Sequence, residues 1–558
     1  MPADPAAAGA RPAESRRDLL LVAILAALLF LPGLGRHDLW NPDEPRYTEV
    51  AREMRLSGDY VVPHLNGEVY SQKPPLQMWA MLAAAAVTGG LDETAARLPA
   101  ALAAIGTVLL VFRIGFRLFG RGAAALSSAV FATASHILWQ GRVGQIDMLL
   151  IFLVTLAVWF WVRAWTEQRP ALNLLFFAFA GLGTLAKGPV SLLPPLISIL
   201  VFCLWTRNET STRDTRVGWG LLRDLRVGRG LLVYLGVVLA WGIPALVRGG
   251  SAYIEQIGFR QTVTRYAEPW HHFAPPWYYL QSVLADFSPW ILVLPAALVA
   301  GWRFLGGRER RAFQFAICWV VVTMVFFSIS SAKRSVYVLT MFPALALLVG
   351  SGLDALARRA REGRQDGLLR GVSLPLATLA LLLLGAVAWL PQAAARRPEA
   401  AILAPGVITE LSALCAVIAL GAALAAWLAY RGRLHAAVAA LAGAMSALTI
   451  VAVLTVLPQF DAFKSARGLS EILRGKMAPS ERYAIFPRLD STFLFYTERF
   501  CTEVGDGAEL AAFIDVPERV WVVARRDAYA KLVPAPNLTE VARDSDPTDG
   551  YLLLTNRP

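Results

Sequence analysis

The sequence predicts a polytopic α-helical membrane protein with about thirteen transmembrane helices and a small α/β domain at its C-terminal end. Three observations predict it. Of 558 residues, 56% are hydrophobic and only 17% charged, which is more apolar content than a water-soluble core needs. Apolar runs of about 17–22 residues, each long enough to cross ~30 Å of hydrocarbon, recur from Asp18 to about Gln459. From about Phe460 they give way to short strand-like and helical stretches. Sparse charge argues against disorder, missing heptads against a coiled coil, and four cysteines against a disulfide-stapled secreted domain. Cys203, Cys318 and Cys415 lie inside apolar runs and Cys501 in a polar region, so all four read as packing residues.

Residues 1–17, rich in Ala and Pro, read as a disordered cytoplasmic N-terminus. The first run, Asp18 to Gly35, follows Arg16 and Arg17. No small-residue cleavage site leads from it into a soluble domain, so it reads as a retained span and not a signal peptide. Further spans begin near Arg97, Gly122, Asp147, Ala171, Gly188, Leu231, Val283, Ala312, Val336, Gly371, Thr409 and Leu434. Pro74 to Thr88 is short, opens on two prolines and contains Gln77, so it reads as an interfacial helix. On that count one side receives Arg16/Arg17, Arg113/Arg117/Arg121, Arg163/Arg169, Arg207 through Arg229, Arg303 through Arg311, Arg358 through Arg370 and Arg431/Arg433. Short arginine-rich loops belong in the cytoplasm. The opposite side carries the long loops at about 36–96 and 249–282 and the region 460–558. The net charge of +12 therefore reports membrane orientation and contact with anionic lipid, with no need of a nucleic acid partner. In the last region, Tyr483–Phe486, Val520–Ala524 and Tyr551–Leu554 read as strands, and Ala466–Lys476 and Gly507–Phe513 as helices.

The first outer loop holds more polar chemistry than a connector needs. Asn41-Pro42-Asp43-Glu44-Pro45-Arg46-Tyr47 follows the first span and is itself followed by Tyr70-Ser71-Gln72-Lys73-Pro74-Pro75. Ionisable clusters at a membrane are costly unless used. Asp43 has a plain alternative as a helix cap, with Pro45 in the first turn, and Asp147 has the same alternative at its own span. Glu44 reads either as the partner of Asp43 or as a first-turn helix charge. Lys73, held extended by Pro74, is the first choice for a phosphate, and Arg46, whose guanidinium can grip phosphate in a fork, is the second. Lys187 and Lys333 stand at outer span ends and read equally as snorkelling anchors. Tyr47, Tyr70 and Tyr337 could contact phosphate or sugar, or belong to the interfacial aromatic belt.

The runs Asn41–Tyr47, Ser57–Leu65, Lys73-Pro74, Lys187-Gly188, Ala274–Tyr279 and Phe326–Lys333 together resemble the bacterial aminoarabinose transferase family. These are membrane glycosyltransferases of the GT-C class, related more distantly to protein O-mannosyltransferases. The resemblance covers the membrane region and not the C-terminal domain. It implies transfer of a sugar, 4-amino-4-deoxy-L-arabinose in named members, from undecaprenyl phosphate to a lipid A phosphate at the periplasmic face of the inner membrane. It also implies that Asp43 positions the acceptor or serves as its base and that Asp147 is the second acidic residue. Such chemistry needs cations for the leaving phosphate and a carboxylate near the incoming oxygen.

Glu268, His271 and His272 in the second outer loop could hold a divalent metal such as zinc, although the histidines are adjacent and no cysteine supports them. Gln72 stands where family members often have a glutamate, which puts in doubt any metal or amine contact through that carboxylate. The chain is expected to act as a monomer. Two other functions compete with this one. A transferase for another glycan or a protein would share the loop pattern. A lipid-linked sugar transporter would carry mid-span charges and internal repeats, and neither is evident.

Overall fold

A computed structural model describes residues 16–209, 217–264, 273–364, 366–396, 406–533, 536–544 and 550–557. Helix α1 (Arg16–Phe30) leads into the first loop, which contains α2 (Asp43–Ser57), a two-stranded ribbon of β1 (His64–Leu65) and β2 (Glu68–Val69), and α3 (Leu76–Thr88). Gly58 ends α2 at φ 71°, a left-handed conformation that costs glycine little, and its N–H returns to the Met54 carbonyl. Then come α4 (Glu93–Phe119), α5 (Arg121–Ala132), α6 (Ser135–Gln140), α7 (Ile146–Glu167) and α8 (Asn173–Lys187). Asp92 caps α4 by accepting the Ala95 N–H at 2.8 Å.

Among the described residues, nine helices are long and apolar enough to cross a membrane: α4, α7, Pro170–Lys187, Gly218–Gly258, Gly307–Ile329, Ser335–Arg361, Leu368–Ala395, Val407–Tyr430 and Leu434–Lys464. The remaining expected spans are helical but shorter or broken. The first is 15 residues long. The run from Gly122 stops at Thr133 and resumes as α6. The run from Val283 is divided into Tyr278–Asp286, Trp290–Leu292 and Leu294–Phe304 around Pro289, whose ring nitrogen cannot donate. Helix Ser335–Arg361 is the most enclosed of the nine. It is approached closely because Gly350 faces the backbone of Ser127 and Gly352 that of Ala297, where a Cβ would clash.

The C-terminal region folds around a five-stranded mixed sheet in the order β4-β3-β5-β7-β6, where β3 is Arg482–Phe486, β4 Thr502–Glu503, β5 Val520–Arg525, β6 Thr539–Arg543 and β7 Tyr551–Thr555. β3 runs parallel to β4 and β5, and β7 antiparallel to β5 and β6. Both faces are covered. Tyr483, Ile485, Trp521 and Val523 meet helices Arg467–Lys476 and Ser491–Thr497, while Ala484, Phe486, Val520 and Val522 meet helix Gly507–Ile514. This is why β3 and β5 read as continuous apolar runs and not as alternating ones.

Candidate functional site

The polar loop residues converge at the start of α2. Its N-cap is Pro42, and no side chain caps the helix, so Asp43 is not a cap. Asp147 does not cap α7 either, where Gln145 holds that position without a side-chain bond. Both carboxylates are buried and both face cations. Asp43 lies 3.3 Å from the Arg334 guanidinium and 3.8 Å from that of Arg46, and it accepts from the Gln145 amide at 3.3 Å. Asp147 pairs with Lys187 at the C-terminal end of α8, and the Lys187 ammonium also sits 4.9 Å above the Tyr337 ring. Arg334 feels the charge of both Asp43 and Asp147, which joins the two pairs into one cluster of mixed charge. Four chain segments build it: the heads of α2 and α7, the tail of α8, and the turn between Ile329 and Ser335.

Tyr47 and Tyr70 are buried beside this cluster in one apolar group with Met78, Ile146 and Ala186. Burial, followed by the negative charge of Asp43, pushes the Tyr47 phenol well above the usual tyrosine range, so it stays protonated as a hydrogen-bond donor. Arg46 donates to Gln72 at 3.4 Å, so Gln72 meets a cation. Lys73 follows Gln72, half-buried, ahead of Pro74 and Pro75.

Two expected site residues are engaged by protein partners. Glu44, expected in the catalytic set, is gripped by Arg97 at 2.8 and 3.0 Å and accepts the backbone N–H groups of Gly144 at 2.7 Å and Trp40 at 3.2 Å. Burial pushes its carboxyl up, but Arg97 and these N–H donors outweigh that and hold it below the usual carboxylate range. Lys333, expected at the phosphate, is buried and donates to the carbonyls of Ala274 (3.0 Å) and Ser330. Together with the Ala274 N–H to Ser331 bond and the Phe273–Ala332 bridge, it fastens the Ala274–Tyr279 segment to the turn that carries Arg334. Arg334 and Gln145, which both face Asp43, are not among the residues the sequence singles out. Lys333 and Arg334 are neighbours on an extended turn, so one side chain turns to the backbone and the next to Asp43, and that alternation was the available signal. Glu268, His271 and His272 lie outside the described residues. Among the described residues no group of three or more His, Cys, Asp or Glu side chains could hold a metal ion.

Residues 72–222 match the family profile described as dolichyl-phosphate-mannose-protein mannosyltransferase. An undecaprenyl phosphate-alpha-4-amino-4-deoxy-L-arabinose arabinosyl transferase of Pseudomonas aeruginosa (strain UCBPP-PA14) is 31% identical over 67% of this chain and 65% of its own. One from Erwinia tasmaniensis is 29% identical over 66% and 65%. The chain thus spans about 65% of the length of the curated relatives it matches. Among solved structures, ArnT from Cupriavidus metallidurans bound to undecaprenyl phosphate superposes with a TM-score of 0.80 at 24% identity, over 97% of this chain and 98% of the other. The oligosaccharyltransferase of Archaeoglobus fulgidus tethered to an acceptor peptide does so with a TM-score of 0.51 at 11% identity, over 91% and 68%. With its spans, its outer-loop cluster and these similarities in agreement, the chain has the fold of a GT-C membrane glycosyltransferase and is similar over about two thirds of its length to the bacterial aminoarabinose transferases.

Proposed function

We propose that this multi-pass membrane protein is a glycosyltransferase that moves 4-amino-4-deoxy-L-arabinose from undecaprenyl phosphate to a lipid A phosphate at the periplasmic face of the inner membrane. The observation that carries the reading is the buried Asp43 carboxylate set between Arg46 and Arg334, with the Asp147–Lys187 pair beside it. An acceptor phosphate oxygen attacks the anomeric carbon of the sugar. The bond from that carbon to the carrier phosphate breaks, and the electron pair leaves with undecaprenyl phosphate. Arg46, Lys73 and Arg334 offset the charge that builds on the leaving phosphate. An ionised acceptor phosphate needs little base catalysis, so Asp43 mainly orients it through Arg46 and Arg334, the cations it holds, while Asp147 holds Lys187 in place. Tyr47, Tyr70 and Tyr337 line the sugar side as donors and flat apolar walls.

The names of the curated relatives and the undecaprenyl phosphate in the similar ArnT structure support this choice of donor. The mannosyltransferase profile over 72–222 favours a second reading, the same donor chemistry with another glycan or a protein as acceptor. Mass spectrometry of lipid A from cells with and without the gene separates the two. The first reading predicts one pentosamine gained per modified phosphate. Unchanged lipid A alongside a changed glycan or protein would favour the second.

A further inference from the structure

Residues 38–41, which run into Pro42 and Asp43, are each held from the C-terminal part of the chain. Asp38 donates its N–H to Asp461 at 3.1 Å and pairs with Arg467 at 3.1 Å. Leu39 donates its N–H to the Tyr496 hydroxyl at 2.9 Å, and that hydroxyl in turn donates to Glu93 at 2.9 Å. The Trp40 indole donates to Asp461 at 2.8 Å. The Asn41 amide donates to Asp490 at 2.6 Å. Asp490 is buried and has both oxygens engaged: one accepts the Thr492 N–H at 2.8 Å and caps helix Ser491–Thr497, while the other takes Asn41 together with the Tyr551 hydroxyl at 2.8 Å. Further along the loop, Asn66 exchanges two bonds with the Cys501 backbone, at 2.9 and 3.0 Å.

A carboxylate that must present one face to a substrate needs a fixed backbone behind it, because small misplacements cost rate steeply. Glu44 and Arg97 supply that fixation on the helix side of Asp43. On the other side, Pro42 has no N–H with which to anchor itself, so the nearest side-chain tie is Asn41. We infer that Asp490 of the C-terminal domain is a positioning residue for Asp43, acting through the Asn41 amide, and that the domain thereby sets the geometry of the transfer site without touching substrate. This rests on the role proposed for Asp43. It makes the sheet domain part of the site's scaffold: Tyr551 on β7 orients Asp490, Asp490 orients Asn41, and Asn41 fixes the chain two residues before the carboxylate.

The test uses the full-length protein with Asn41→Ala, Asp490→Ser and the double variant; serine keeps a hydroxyl able to cap the helix but cannot reach Asn41. Two readouts are taken: hydrogen exchange over residues 38–48 and over strands β3 and β5, and kcat and donor KM with undecaprenyl-phosphate-linked aminoarabinose and lipid A. The expectation is faster exchange confined to 38–48, kcat lowered about tenfold with donor KM held within about twofold, and a double variant no worse than the worse single one. Unchanged exchange at 38–48 would overturn the inference. So would local loosening with unchanged kcat, or loosening that spreads through β3 and β5 with additive losses, the mark of a merely structural contact. If the unaltered protein transfers no sugar, the functional proposal falls, and exchange at 38–48 alone then decides whether Asp490 holds the chain ahead of Asp43.

Discussion

Asp43 and Glu44 are adjacent on α2 yet held by different cations, Asp43 by the part-exposed Arg46 and Arg334 and Glu44 by Arg97, which is fully buried. A buried guanidinium left without its carboxylate costs about 3–5 kcal/mol. Glu44→Ala should therefore lower the melting temperature of the whole protein and deplete it from membranes. Asp43→Asn, whose neighbours remain open to solvent, should leave melting within a few degrees. Melting curves of the two purified variants check this, and equal destabilisation would contradict the division of roles. Sequence alone marked both carboxylates because acidic groups beside a membrane are conspicuous. It could not separate them, since Arg97 lies far along the chain and its pairing is a tertiary fact. Lys333 and Arg334 show the same limit: a lysine at a span end reads equally as a phosphate ligand or a snorkelling anchor until the carbonyls of Ala274 and Ser330 are seen around it.

Among the elements, the long helices were legible because hydrophobic length is a one-dimensional property, and the breaks near Thr133 and Pro289 were not, because a run's composition does not report where its hydrogen-bond ladder stops. In the sheet domain the central strands β3, β5 and β7 were legible from their apolar runs. β4 with two residues, β6 with its bulge after Glu540 and helix Ser491–Thr497 were not, being short or exposed or, in the helix, buried all round and so without a polar face. The starts of the central strands β3 and β5 share an electrostatic clasp. Glu481 accepts from Arg519 at 2.7 Å, the Trp521 indole at 2.8 Å and the Ala478 N–H at 2.9 Å. Burial pushes this carboxyl up, but the three donors outweigh it and bring it down to about 2. A depressed carboxyl stabilises the fold above its unfolded value near 4.5, and that stability is lost as pH falls toward 2. Glu481→Gln should cost about 1–2 kcal/mol at pH 7, discounted because Arg519 is partly exposed, with the gap to the unaltered protein narrowing below pH 4.5. Thermal melts across that pH range decide it; a gap that stays constant would mean that the charge contributes nothing.

For the whole molecule, orientation follows from which helix ends carry arginine. Arg358, Arg359 and Arg361 close helix Ser335–Arg361 at the end remote from Arg334 and the α2 cluster. Reporter fusions after Gly58 and after Gly363 should read periplasmic and cytoplasmic respectively, and the same reading at both would dismantle the topology. The C-terminal sheet domain is hydrogen-bonded to the loop that holds Asp43, which ties it to the helical region beside the cluster. The proposed role of this cluster is to carry sugar transfer from a polyprenyl phosphate. It is tested most directly in proteoliposomes containing purified protein, undecaprenyl-phosphate-linked 4-amino-4-deoxy-L-arabinose and lipid A, with the product measured for the unaltered protein and for Asp43→Asn. The unaltered protein should transfer the sugar, and Asp43→Asn should lose about 100-fold in rate through misplaced acceptor with its fold retained; full transfer by folded Asp43→Asn protein would contradict this.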